Sequence, residues 1–174
     1  MASIINVDTI NEKTTGNGII IPGHVVQVVD GGAKTGSVSC FNQSFIDTSM
    51  NSVAITPKSS SSKILVTVTQ TVQVWNSGSP YATGRWRIMR NVAGGAYTAV
   101  YQDTSSTNGN IFAYDYGSSG INVYRPTSYT LLDSPNTTSQ VIYKTQIALG
   151  SNGGNRITTD ANDVSRMILM EIAQ

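Results

Sequence analysis

Lys63-Ile-Leu-Val-Thr-Val-Thr-Gln-Thr-Val-Gln-Val-Trp75 decides the fold class. Ile64, Val66, Val68, Val72 and Val74 fall on one side of an extended chain, and Leu65, Thr67, Thr69, Thr71 and Gln73 fall on the other. A period of two is the signature of a strand with one face in a core and one face outside it. Gln70 interrupts the apolar side, which predicts a buried hydrogen bond there.

Outward from this run, similar stretches alternate with turn residues. Toward the N-terminus, Val25–Val29 ends at Asp30-Gly-Gly32, residues 37–46 read as a strand around Val38, Cys40 and Phe41 or Phe45, and Ser52–Thr56 stops at Pro57. Toward the C-terminus the predicted strands are Arg85–Asn91 with Trp86 and Ile88 inward, Ala96–Gln102, Asn110–Tyr116, Thr127–Leu132, Ser139–Leu149 and Arg166–Ile172. Asn76-Ser-Gly-Ser-Pro80, Ala93-Gly-Gly95, Asn108-Gly109, Ser134-Pro-Asn136 and Asn152-Gly-Gly154 punctuate them as turns. Many short strands with no amphipathic helix predict an all-β, antiparallel β-sandwich of jelly-roll type, with an immunoglobulin-like sandwich as the rival.

Composition agrees. The 174 residues include 21 Ser, 20 Thr and 14 Asn but only two Glu, Glu12 and Glu171, so the side chains that favour helices are scarce. The length suits one domain with an extension. Residues 1–23 read as an N-terminal arm: Ile4, Ile5, Val7 and Ile10, then a polar stretch, then Ile19, Ile20 and Ile21. Two small apolar clusters cannot bury themselves, so the arm needs a covering surface from its own domain, sister chains or a partner. Residues 24–174 form the β-sandwich domain.

Several chemistries find no support. A formal charge of +1 without a Lys/Arg run gives no footprint for nucleic acid. One cysteine, Cys40, excludes an internal disulfide or a cysteine-based zinc site. No apolar run spans a bilayer, so no membrane insertion is expected. The opening Met-Ala-Ser-Ile-Ile-Asn lacks the pattern of a signal peptide, which predicts an uncleaved product made in the cytoplasm. A Ser-His-Asp relay needs a histidine, and His24, the single one, sits at the arm–domain junction. Asp103, Asp115, Asp133, Asp160 and Asp163 could supply paired carboxylates for glycoside hydrolysis, yet each reads as a turn residue bonding its own backbone. Asp160-Ala-Asn-Asp163 lacks the Gly and distal Glu of a calcium loop. The expectation is a non-enzyme with no metal and no cofactor.

Aromatic residues are the candidate ligand contacts, because sugar C–H faces stack on them: Trp75, Trp86, Tyr97, Tyr101, Tyr114, Tyr116 and Tyr124. The competing reading places them in the core or an interface. Arg85, Arg87 and Arg90 suggest a solvated or interfacial face that meets anionic polysaccharide or a neighbour's Asp. The final strand is apolar on both sides, with Ile168, Met170 and Ile172 on one and Met167 and Leu169 on the other. One of those faces would be a liability on a lone domain. Met167 and Leu169, with Ile4, Ile5, Val7, Ile10, Ile19, Ile20 and Ile21, are therefore the candidate oligomer or virion interface.

Ile4-Ile-Asn-Val-Asp-Thr-Ile-Asn-Glu-Lys-Thr-Thr-Gly-Asn-Gly-Ile-Ile-Ile21 resembles the opening segments of tailed-bacteriophage tail-fibre and virion structural proteins. Ile55-Thr-Pro-Lys-Ser-Ser-Ser-Ser-Lys-Ile-Leu-Val66, Asp133-Ser-Pro-Asn-Thr-Thr-Ser-Gln-Val-Ile-Tyr-Lys144 and Arg166-Met-Ile-Leu-Met-Glu-Ile-Ala-Gln174 resemble phrases of a virion protein family common in marine phages. The resemblance implies a fibre component of a bacteriophage virion, homotrimeric, docked to other virion proteins through the arm. Its β-domain would attach to host bacteria by binding a surface polysaccharide or protein receptor. It brings no catalytic residues, and residues 76–125 lie outside it. The alternatives are a head fibre, capsid decoration or tail-assembly protein that touches only virion proteins, and a polysaccharide depolymerase.

Overall fold

A computed structural model describes residues 9, 21–102, 111–114, 119–150, 156–159 and 164–174. The described chain is all-β, with eleven strands: β1 (Val25–Asp30), β2 (Ser39–Cys40), β3 (Ile46–Ile55), β4 (Lys63–Asn76), β5 (Tyr81–Val92), β6 (Thr98–Gln102), β7 (Ile111–Tyr114), β8 (Ile121–Asp133), β9 (Val141–Leu149), β10 (Arg156–Thr159) and β11 (Arg166–Ile172).

The strands pair from the ends of the chain inward, all antiparallel: β1 with β11, β3 with β9, β4 with β8, and β5 with both β6 and β7. Further pairings, β11 with β4 and β9 with β5, roll this long double strand into two sheets. The first sheet runs β1-β11-β4-β8 and the second β3-β9-β5-β6/β7. That nested, rolled arrangement is the eight-stranded jelly roll, as expected, and not the immunoglobulin topology. β10 and β2 extend the first sheet where β11 has ended.

β4 is the central strand. β8 pairs with it from Ile64 to Asn76, while β11 takes Lys63–Thr69 and β10 takes Val72–Trp75 on its other edge. Its alternation holds: Ile64, Val66, Val68, Val72 and Val74 are at most 1% exposed, while Leu65, Thr67, Thr69 and Thr71 face outward. The core continues with Trp86 and Ile88 on β5, Val141, Tyr143 and Ile147 on β9, Ile157 on β10, and Met167 and Leu169 on β11.

Two polar features register the sheets against each other. Gln70, buried in the apolar row, accepts the Trp86 indole N–H at 2.9 Å. The Thr145 hydroxyl lies 3.4 Å from the same Gln70 oxygen and bonds Thr48 at 2.7 Å. One end is closed differently: Arg90 on β5 and Tyr143 on β9 both donate to Asp133 on β8, at 2.9 and 2.7 Å. Burial, then the hydrogen bond to Asp133, raises the Tyr143 pKa far above its usual value. Asp133 is thus a cross-sheet clamp and not the turn residue the sequence suggested. Arg90 likewise points inward, unlike Arg85 and Arg87.

A glycine of β5 faces the first sheet. A Cβ at Gly84 would come within 2.5 Å of Ile157 Cδ1, so a larger residue there would require Ile157 to move.

Other departures from the expected strands have physical causes. β8 begins at Ile121, six residues before the predicted start, because it pairs only with β4 and an edge strand tolerates Pro126. β10 is four residues, too short to show a period. The stretch 37–46 yields only Ser39–Cys40, with Phe41 67% exposed beyond it. β3 begins earlier than predicted and passes through a register shift between Asp47 and Ser52, with Ser49 at φ 60°.

Glu171 is fully buried, and its carboxylate accepts from the backbone N–H groups of Lys58 (2.8 Å) and Ser59 (3.3 Å) and from Gln27 Nε2 (2.6 Å). One carboxylate thereby ties the Pro57–Ser62 turn and β1 to β11. Glu171→Ala strands these donors inside the protein and is expected to lower unfolding free energy by about 3 kcal/mol, read from urea titrations followed by circular dichroism. A second prediction concerns Asp30, which pairs with Arg166 across β1 and β11. The Arg166 hydrogen bonds, followed by the Gly32 N–H, hold its pKa at about 2, below the ordinary 3.8. A depressed carboxyl contributes stability above its unfolded pKa, and that contribution fades as pH falls from near 4 toward 2. Carbon-13 NMR should find the Asp30 midpoint near 2 and see it rise toward the ordinary value in Arg166→Ala.

Candidate functional site

Both sheets are covered on the inside, so any binding surface lies on the two outer faces or at the loops. The outer faces are unlike each other.

On the first sheet, cross-strand register aligns Val28 of β1, Met170 of β11, Leu65 of β4 and Leu132 of β8 in one row. Val28 is 57% exposed and Leu132 52%. Ile172 and Ile168 flank this row on β11, and Val25, half exposed, pairs with Ile172. Lys63, beside Ile172, and the Asp30–Arg166 pair, beside Ile168, form its charged margins. Four strands therefore present a continuous apolar band to the outside.

Met167 and Leu169, the expected interface residues, are 1% and 0% exposed and belong to the core. The alternation on β11 was legible, but its inward face is the one that also carries buried Glu171. The outward face is Ile168, Met170 and Ile172. Ile4, Ile5, Val7, Ile10, Ile19 and Ile20 lie outside the described residues. Ile21, 40% exposed, opens a turn in which His24 N–H bonds the Ile21 carbonyl, with Gly23 at φ 84° as the turn requires. Gly23 N–H also bonds the Ala173 carbonyl, so the Ile21–Gly23 turn sits at the end of β11, beside the apolar band.

The second sheet presents a polar row instead: Asp47 of β3, Gln146 of β9, Arg87 of β5 and Gln102 of β6. Each is bonded to the next. Gln146 Nε2 donates to Asp47 at 2.6 Å, and Arg87 donates to Gln146 Oε1 at 2.7 Å and to Gln102 Oε1 at 2.8 Å. Phe45 lies beneath two cations, with its ring centroid 3.8 Å from the Arg87 guanidinium and 4.9 Å from that of Arg85. Lys144 bonds Asp47 at 2.7 Å and sits 3.7 Å from the Tyr97 ring centroid. Burial raises the Asp47 pKa, but the Lys144 and Gln146 hydrogen bonds outweigh it and the net shift is downward.

The aromatic candidates separate accordingly. Trp86 is wholly buried, stacked on Tyr129 at 4.6 Å, and Tyr101 is packed on both, so neither Trp86 nor Tyr101 forms an open sugar platform. Strand direction had already placed Trp86 inward. Tyr97, on the second sheet's side, is 37% exposed. Tyr124 is 51% exposed on the first sheet's outer face, where Gln73 Nε2 reaches its hydroxyl, and Trp75 of that face lies 5.7 Å from the Arg156 guanidinium. The Tyr114 side chain and Tyr116 lie outside the described residues, as do Asp103, Asp115, Asp160 and Asp163. Among the described residues no three His, Cys, Asp or Glu gather as a metal site. His24 is exposed, and Cys40 is buried with its thiol directed at the Asn42 carbonyl. The sequence reading missed Phe45 and the two glutamines as partners of Arg87, since only the β3-β9-β5-β6 order brings them together.

Neither a protein-family model nor a curated protein matches the sequence. Among solved structures, the chain is similar to one titled as the structure of infectious bursal disease virus, Gx strain, with 12% identity and a TM-score of 0.43 over 94% of this chain and 36% of that one. It is also similar to the VP2 subviral particle of the same virus, with 11% identity and a TM-score of 0.41 over 97% of this chain and 37% of that one. The chain therefore spans well under half the length of these proteins.

Proposed function

We propose that this protein is a non-enzymatic component of a bacteriophage virion, a tail fibre or fibre-like protein. Its jelly roll packs against two sister copies through the outer face of the first sheet and displays the second sheet to a host surface. The observation that carries this reading is the contrast between the two outer faces of one sandwich. A band of Val28, Met170, Leu65 and Leu132 crossing four strands is costly in water at about 25 cal/mol per Å² of apolar surface, whereas a bonded polar row is at ease there. Sister copies are favoured as the cover because Ile21–Gly23, where the isoleucine-rich segment joins the domain, sits beside the same band, so that segment and the band can close one continuous interface. The resemblance of the arm and of three body segments to tail-fibre and virion proteins supports the same assignment. Display in threes suits recognition by weak sites, since linking them raises effective concentration without new contacts.

The test is mass in solution. Sedimentation or light scattering of the full chain at micromolar concentration is expected to give three copies. Met170→Glu should give a monomer with an unchanged β spectrum, because a carboxylate on the outer face disturbs only the contact between copies. A monomeric wild type would refute the trimer. Removing residues 1–23 is expected to abolish incorporation into particles while the domain stays folded, and retained incorporation would refute the arm's role.

A further inference from the structure

We propose that Arg85 and Arg87, on the outer face of the second sheet, form a binding site for carboxylated polysaccharide, that is, for chains bearing uronate groups. This rests on the reading of that sheet as the displayed one, and it names what the sheet would recognise.

The charge arrangement is the starting point. Of the three cations on this face, Lys144 is satisfied by Asp47. Arg85 and Arg87 have no carboxylate within ion-pair distance among the described residues. Their partners are neutral: Arg85 donates to the carbonyls of Leu149 (3.0 Å) and Gln43, and Arg87 to the amide oxygens of Gln146 and Gln102. Neutral acceptors orient a guanidinium without cancelling its charge. The two side chains are two residues apart on one strand, so they stand on the same face at roughly 7 Å spacing, over one Phe45 ring. Holding two like charges together is unfavourable, and the Arg87 pKa is lowered accordingly, first by burial and then by Arg85, against a smaller opposing effect of Asp47.

Such a fixed, half-buried pair is prepared for an anion. Guanidinium presents a planar fork that matches carboxylate, and less rotamer freedom is lost when its neighbours already hold it. Among the described residues the two arginines stand on the face of a sheet, which suits an extended polymer over a small free anion. Tyr97 at the margin offers a ring edge, and Gln102 and Gln146 retain amide N–H groups suited to sugar hydroxyls. A chain with regularly repeated carboxylates would engage both arginines at once, and a trimer would repeat the site.

The experiment measures binding of fluorescently labelled full chain to polygalacturonate, with neutral dextran and poly-glutamate as comparisons, over a series of salt concentrations. Binding to polygalacturonate is expected to exceed binding to both comparisons and to weaken as salt rises. Arg85→Gln/Arg87→Gln should weaken it on the order of tenfold or more with an unchanged β spectrum, while Lys34→Gln should leave it intact. No binding by the wild type, equal binding by the double variant, or preference for poly-glutamate would each overturn the proposal, the last pointing to an acidic protein partner. Applying the same two proteins to a panel of bacterial cells keeps the outcomes apart. Equal labelling by wild type and variant refutes the arginine site and leaves host recognition standing. Labelling by neither removes host recognition itself.

Discussion

The structure depends on β4 being hydrogen-bonded along both edges while one of its faces is sealed. Its thirteen-residue alternation from Lys63 to Trp75 fixes register twice over, because a slip of one residue would turn five valines and isoleucines outward. The Gln70–Trp86 hydrogen bond then fixes the second sheet against the first: a buried indole N–H needs its acceptor, and only one stacking of the sheets supplies it. At one end Arg90, Tyr143 and Asp133 repeat the arrangement with a charge. Everything outside the core follows from these constraints, including which residues of β11 and β5 face outward.

Much of this was legible in the sequence, and the legible part is what periodicity can encode. β4, β9 and β11 could be read almost residue by residue, and Gln70 betrayed its hydrogen bond by interrupting an apolar row. Pairing over long separations was not legible. The role of Glu171 is one example: nothing local says that Lys58 and Ser59, more than a hundred residues earlier, will donate to it. The same limit misplaced Met167 and Leu169, which are buried and not on an outer face. Both faces of β11 are apolar, so the sequence could not say whether Met167 and Leu169 or Ile168, Met170 and Ile172 point inward. The partners on β1 and β4 decide it. Asp133 was misread for a related reason: Ser-Pro-Asn follows it, so it looked like turn chemistry, while its carboxylate closes the sandwich.

The two outer faces of the sandwich differ in chemistry. A jelly roll by itself hosts capsid, lectin and enzyme functions alike, so function lies in the surfaces grafted on it. The apolar band and the Ile21–Gly23 turn lie at the β1–β11 side of the first sheet. The arginine pair, its glutamine partners and Tyr97 lie on the side of the second sheet. The two faces of one sandwich thus differ in kind, and the proposed assembly rests on that difference.

That polarity is most directly tested by hydroxyl-radical footprinting of the full chain across a concentration series. The account predicts that Leu132 and Met170 become protected as copies associate, while Tyr97 stays reactive throughout. Oxidation of Leu132 and Met170 at the rate set by their exposure in a single domain, at every concentration, would contradict it.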